Sequence, residues 1–326
     1  MATPHHRLAR ETPAYSWWKL PVAALVIAAT YLGLVMLLIA AAAGWFAVSS
    51  SSGSFDGWFD AAGDLDVRRL DYFVLDLLSI VLLIPAVLIG VLTTGPRPVG
   101  YLSSVAGRLR WRWLWLTTGI AGAISLVTIG ASLVVTRLTD PDEVAAPMQL
   151  DSRLATALVL IVLVVPFQAA AEEYVFRGYL MQLVGSWSRF AVVPVVVTTP
   201  LFVAGHGYEV WGLLDVAVFG LTAAVLTIRT GGLEAAIAAH AANNVVLFAL
   251  DALGVISATD DSGAGPLDVV PTVVSSILLL TVIEWAARRR GIQRQRDPLP
   301  EPPAPMWPPP PYAMPQYPPP PPTAGR

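Results

Sequence analysis

Cysteine is absent from the 326 residues, which excludes disulfides, thiolate zinc sites and cysteine nucleophiles and leaves metal binding to histidine and carboxylate. Charge is scarce as well: Asp, Glu, Lys and Arg together make up 13% of the chain, about half the roughly one-quarter share of a soluble domain. Lysine is nearly missing, with Lys19 standing alone against nineteen arginines, a bias of composition rather than chemistry. The formal net charge of −3 and the lack of any extended basic face argue against nucleic acid as a partner. Neither an HExxH helix nor a G-x-S-x-G turn occurs, and no internal repeat suggests an inverted-repeat transporter.

What is present is apolar length. With 55% hydrophobic residues, the chain divides into eight candidate spans near 21–48, 73–94, 113–136, 153–172, 190–206, 212–229, 232–250 and 268–287. This predicts an all-α, polytopic integral membrane bundle at home in a lipid bilayer. The first span is too long for a secretory core and is expected to stay as a helix. Three regions follow: a cytoplasmic N-terminal segment (1–19), a membrane-embedded domain (20–290, with its motif core at 150–250) and a disordered, proline-rich cytoplasmic tail (291–326). Basic residues cluster at alternate boundaries, from Arg7, Arg10 and Lys19 through Arg97, Arg108, Arg110 and Arg112, then Arg177, Arg189 and Arg229, to Arg288–Arg290, with Arg68 and Arg69, set among aspartates, as the exceptions. The other loops carry Asp56, Asp60, Asp64, Asp66, Asp140, Asp142, Glu143, Asp260 and Asp261, so both termini are predicted to be cytoplasmic in a multi-pass cell-membrane protein. The tail's PPPP runs favour polyproline II, which suits either a solvated tail or a docking strip for a polyproline-binding partner.

Ionisable residues inside a span are costly and mark function by default. Asp76 and Asp215 lie near span ends, where the interface can hydrate them. Glu172 and Glu173 are different, because they are adjacent and followed by Arg177. At i and i+4, Glu173 and Arg177 form a favoured helical pair. Glu172 points about 100° away on helical geometry and is left as the carboxylate for chemistry. Two further spans carry polar groups: His206 follows Phe202 one turn on, and His240 shares a helical face with Asn244, while Asn243 points elsewhere as a structural hydrogen-bonder. A carboxylate that activates water, imidazoles that position it or hold a metal, and an amide for the oxyanion would together hydrolyse a peptide bond. Glu172, His206 and His240 also make up the His₂Glu set of a catalytic zinc site, so one divalent metal such as zinc is a candidate cofactor. The alternatives are a transporter or proton relay built on the same residues, or a non-catalytic membrane scaffold.

These residues resemble the motifs of the CPBP family of intramembrane proteases, which includes the CAAX-processing Ras-converting enzymes and the bacterial Abi proteins. EEYVFR at 172–177 resembles EExxxR, FVAGH at 202–206 resembles FxxxH and HAANN at 240–244 resembles HxxxN. The resemblance covers about 150–250. It implies a glutamate or metallo endopeptidase with Glu172, His206, His240 and Asn244 as the site and Glu173, Arg177 and Phe202 in support, acting on a membrane-associated protein or peptide.

One conflict follows from the span assignments. If span four ends at Glu172 and span five runs outward from 190, Glu172 and His206 lie at opposite faces, ~24 Å apart in depth. The expectation is therefore a distortion: span five broken or tilted at Pro194 and Pro200, or residues 178–190 re-entering a protein-lined cavity.

Overall fold

The computed structural model describes residues 2–13, 15–49, 54–62, 66–139, 148 and 150–298. The acidic loop residues Asp64, Asp140, Asp142 and Glu143 and the proline-rich stretch from 299 onward lie outside the described residues. Helices α1 (Lys19–Val48), α2 (Phe55–Ala62), α3 (Leu70–Val81), α4 (Leu83–Thr94), α5 (Trp111–Thr139), α6 (Leu154–Glu173), α7 (Met181–Trp187), α8 (Val192–Val203), α9 (Val210–Thr230), α10 (Glu234–Ala252) and α11 (Val270–Arg289) build an all-α bundle. Seven helical stretches are long and apolar enough to cross a bilayer, α3–α4 and α6–α7 each counting as one, and α8 is a shorter apolar eighth. Their outward faces carry large apolar side chains such as Leu25, Leu32, Met36, Val159, Leu163 and Phe167, which water would not tolerate in such density and lipid would.

Alanine sets the centre of the bundle. Ala235, Ala236, Ala238, Ala239, Ala241 and Ala242 are all buried on α10, and side chains this small let neighbouring backbones approach from every direction. One apolar cluster joins Ala235 and Ala239 to Trp113, Leu226, Leu279 and Ile283 of α5, α9 and α11. Another joins Phe248 to Phe73 of α3 and Ile161 and Val165 of α6. The lower end of α10 is pinned by a buried ion pair: Glu234 in its first turn takes Arg110 Nη2 at 2.6 Å and Nε at 2.8 Å. An acid there also complements the helix dipole.

The fourth span does not end at Glu172. Tyr174–Leu180 continues as a π-helical stretch and α7 carries the rod on to Trp187, so helix runs without a break through 178–187 where a re-entrant path was expected for 178–190. π turns are rare and concentrate at functional sites. Glu172 therefore sits fifteen residues, ~22 Å, above Trp187 rather than at the helix end. The depth conflict disappears, because α8 has only 12 residues and stops at Val203, leaving His206 at a similar height.

The N-terminal segment and residues 295–296 meet on one face. A 3₁₀ helix at His5–Glu11 buries His5, His6, Leu8 and Ala9. Thr3–Pro4 pairs antiparallel with Gln295–Arg296, and Glu11 meets Arg296 at 2.8 Å, so the two ends of the membrane domain lie on the same side.

Candidate active site

Three helices bring the sequence motifs together around one imidazole. Gly178, below the glutamates, packs so closely on Leu233 that an added Cβ would lie 3.2 Å from the leucine. From that level Glu172 lies six residues up one helix and His240 seven residues up the antiparallel α10, so the two reach the same height. His240 is buried; its Nδ1 meets Glu173 Oε1 at 2.9 Å and its Nε2 lies 3.8 Å from Glu172 Oε2.

These contacts fix the tautomer. A carboxylate without a proton can only accept, so Nδ1 carries the hydrogen and Nε2 presents a lone pair toward Glu172. Glu173 Oε1 also accepts from Arg177 Nη1 at 3.0 Å, as the i, i+4 spacing expects. The other arm of that guanidinium, Nη2, donates to the Gly220 carbonyl of α9 at 2.9 Å. Phe202 covers the same cation, its ring centroid 4.2 Å from the guanidinium carbon, a contact that stabilises a desolvated cation.

Burial separates the two carboxylates. Glu173 is 0% exposed and its Oε1 takes both Arg177 and His240, whereas Glu172 is 9% exposed and is bonded only through Oε1, to Gln168 Nε2 at 2.7 Å. The Oε2 atoms of both are buried and have no protein donor among the described residues. Glu172 is thus the acid of the pair that has no cation of its own and retains some exposed surface.

His206 arrives from the turn after α8. Its ring centroid lies 4.8 Å from that of Phe202, and His240 lies 6.0 Å from the same ring, so the phenyl separates the two imidazoles. His206 Nδ1 donates to the Phe202 carbonyl at 2.9 Å, which leaves Nε2 free of its own helix. Beside it a cavity of ≈ 490 Å³ opens between α8 and α9, lined by Thr199, Val203, His206, Leu213 and Ala217. Asn244, one turn above His240, donates to Gln168 Oε1 at 3.3 Å and accepts from Asn243 at 3.3 Å. Asn243 is thus the supporting amide, as its position on the helix suggests.

The zinc-like donor set is not assembled. Among the described residues no three His, Asp or Glu side chains converge closely enough to hold a metal ion. Glu172, His206 and His240 therefore do not fit a resident divalent ion in this arrangement.

Two contributors escaped the sequence reading. Gln168 had a visible signal, as the one amide in the apolar run before Glu172, four residues away. Gly220 had none, since its backbone carbonyl does the work.

The molecule is thus a polytopic helical membrane protein with a buried Glu–His–Arg centre and an open flank. Residues 154–246 match the family model described as type II CAAX prenyl endopeptidase Rce1-like, a match that takes in all three motifs and supports the resemblance to the CAAX-protease (CPBP) family. The chain is 36% identical over 101 residues to the uncharacterized protein YyaK of Bacillus subtilis (strain 168), a match covering 29% of this chain and 32% of the relative. The match thus spans about a third of that relative's length. No solved structure matches the chain.

Proposed function

We propose that this protein is an intramembrane endopeptidase that hydrolyses a peptide bond of a membrane-associated substrate with a glutamate-activated water. The observation that carries the proposal is the convergence on His240, with Glu173 at 2.9 Å on one ring nitrogen and Glu172 at 3.8 Å from the other. At 3.8 Å the two atoms are not hydrogen-bonded to each other, and Glu172 Oε2 is a buried acceptor without a protein donor, a need that one water admitted with the substrate would meet while also touching His240 Nε2. That water gives one hydrogen to Glu172 Oε2 and the other to His240 Nε2, which turns its oxygen lone pair toward a scissile carbonyl. Glu172 takes the proton as the C–O bond forms, and returns it to the leaving amine when the tetrahedral intermediate collapses. Asn244 keeps a second N–H for the oxyanion. Phe202 and the π turn hold Arg177, which in turn fixes Glu173 and the ring of His240.

The apolar cavity beside His206 suits the hydrophobic stretch next to the scissile bond, entering from the lipid side. The arginine-rich boundaries where Thr3–Pro4 pairs with Gln295–Arg296 support a cytoplasmic position for the face that holds them, at the other end of α9 from this cavity. The matched family's description names CAAX prenyl endopeptidases, so a prenylated CAAX-terminated peptide is one substrate class to try.

The test is cleavage by the purified full-length protein in nanodiscs, using a fluorogenic prenylated CAAX peptide, its unprenylated counterpart and apolar lipid-anchored peptides. Wild type should cleave at least one of these and Glu172→Gln none. Cleavage that survives Glu172→Gln and His240→Ala would refute the assignment.

A further inference from the structure

Glu172 has no cation of its own, because Arg177 is spent on Glu173 and on the Gly220 carbonyl. An amide holds it instead. Gln168 lies one turn earlier on α6, is 5% exposed, and donates Nε2–H to Glu172 Oε1 at 2.7 Å. The short distance fits a hydrogen bond to a charged acceptor. The oxygen end of the same amide accepts from Asn244 Nδ2 at 3.3 Å. Since an ionised carboxylate can only accept, the orientation of the Gln168 amide is determined: nitrogen to Glu172, oxygen to Asn244. Gln168 therefore joins α6 to α10 through a polar chain Asn244–Gln168–Glu172, and it lies outside all three motifs, EExxxR, FxxxH and HxxxN.

The consequence concerns which oxygen does the chemistry. A glutamate side chain turns about several bonds, and its two oxygens are equivalent until something distinguishes them. Here Oε1 is committed to Gln168, and Oε2 is the oxygen that faces His240 Nε2 at 3.8 Å. We infer that Gln168 is a positioning residue of this site: it selects Oε2 of Glu172 as the reacting oxygen, holds the carboxylate against rotation and couples it to Asn244. The inference rests on the proteolytic reading, in which Glu172 is the base. Small displacements of a reacting group are expensive, a misplacement of about 1 Å costing on the order of 10²-fold in rate. The amide belongs to the apparatus of catalysis although it touches no substrate.

A helix-to-helix clasp with no catalytic consequence would lower stability and leave turnover intact in the surviving protein. A positioning residue behaves the opposite way. The experiment uses the full chain in nanodiscs with the peptide that wild type cleaves fastest, and compares Gln168→Met, similar in length but without donor or acceptor, with Asn244→Ala and the double variant. Expected are a kcat lowered ~10–100-fold for Gln168→Met with KM within about twofold, and a double variant whose loss is smaller than the product of the single losses. Wild-type kcat in Gln168→Met, with Glu172→Gln inactive, overturns this inference alone. Full activity in Glu172→Gln overturns the assignment of Glu172 as the base and this inference with it.

A second measurement does not require turnover. With ¹³C-carboxyl-labelled glutamate, the infrared band of Glu172 is assigned by difference from Glu172→Gln, and its carboxylate splitting should change in Gln168→Met. An unmoved band overturns the inference even if no peptide is cleaved.

Discussion

His240 and Glu173 form the central hydrogen bond of the site, Nδ1 to Oε1 at 2.9 Å, and the same oxygen accepts Arg177 at 3.0 Å. One glutamate of the pair therefore serves as a bracket for a histidine and an arginine from opposite directions. Its neighbour faces the other nitrogen of that histidine and carries no counter-ion. Adjacent carboxylates in a membrane span are thus two different devices, separated by the ~100° that one helical residue turns.

The difference between them predicts a crossed pattern of effects. Glu172→Gln keeps the volume and retains an oxygen for Gln168, so the thermal midpoint should stay close to wild type, within about 1 kcal/mol, while cleavage falls at least ~100-fold. Glu173→Gln leaves the buried Arg177 guanidinium without its charge partner, a change that costs about 3–5 kcal/mol when a buried pair is broken. That variant should lose stability and activity together. Differential scanning fluorimetry in detergent alongside peptide cleavage separates the two, and equal stability losses at both positions would contradict the division of roles.

Arg177→Lys should fail to rescue the centre although it keeps the charge. Arginine uses Nη1 on Glu173 and Nη2 on the Gly220 carbonyl while its plane packs on Phe202. An ammonium is a single strongly hydrated point and cannot reproduce a fork whose arms reach two helices. The expected result is a stability loss of about 2–4 kcal/mol, comparable to breaking a buried pair, with activity reduced more than tenfold. Wild-type melting and turnover in the lysine variant would show that the fork is dispensable.

Much of this site was legible in the sequence, because charge in an apolar run is conspicuous. Glu172, Glu173, Arg177, His206, His240 and Asn244 all stood out against their spans, and the i, i+4 spacing of Glu173 and Arg177 translated directly into a contact. The path of residues 178–190 did not. Arg177, Gly178, Gln182 and Ser186 interrupt the hydrophobic run and look like a membrane exit. Each is buried against other parts of the protein instead, Gln182 through a hydrogen bond to the Tyr101 carbonyl. Hydropathy reads lipid contact, and a helix end wrapped in protein carries no such signal. The same limit hid the N-terminal segment: His5–Glu11 has the polarity of a solvated leader, yet His5 and Leu8 are both 0% exposed.

Gly220 offers a test of how tightly α9 closes on the centre. A Cβ there would lie 3.1 Å from Phe202 and 3.2 Å from Arg177 Nη2, tighter than ordinary carbon contacts, and the backbone carbonyl at this position is the second acceptor of the guanidinium. Gly220→Ala should push α9 outward and lengthen that hydrogen bond, costing about 1–3 kcal/mol as overpacking does. Gly119→Ala on α5, where nothing lies within 4 Å of the added atom, is the matched control and should leave melting unchanged. Equal behaviour of the two alanine variants would mean that the contact at Gly220 relaxes freely.

The docked N-terminus should be sensitive to acid through His5. Burial is the main cause that lowers its pKa from 6.5 to about 4; the hydrogen bond to the Leu102 carbonyl opposes the shift, and nearby His6 and Arg110 reinforce it. In the docked state Nε2–H donates to that carbonyl at 3.2 Å and the ring is neutral. A released segment would bind its proton near pH 6.5, so between about pH 6.5 and 4 the released form holds more protons than the docked one. Docking is therefore strongest above pH 6.5, weakens as the pH falls toward 4, and loses nothing further from this group below that point. His6, also lowered chiefly by burial, acts in the same direction. Limited proteolysis in nanodiscs across pH 4 to 8 should show cleavage near Arg7 and Arg10 increasing at the acid end, in step with faster amide exchange over residues 5–11. His5→Leu removes the titrating group and should flatten most of that dependence; a segment equally protected at pH 4 and pH 8 in wild type would sink the argument.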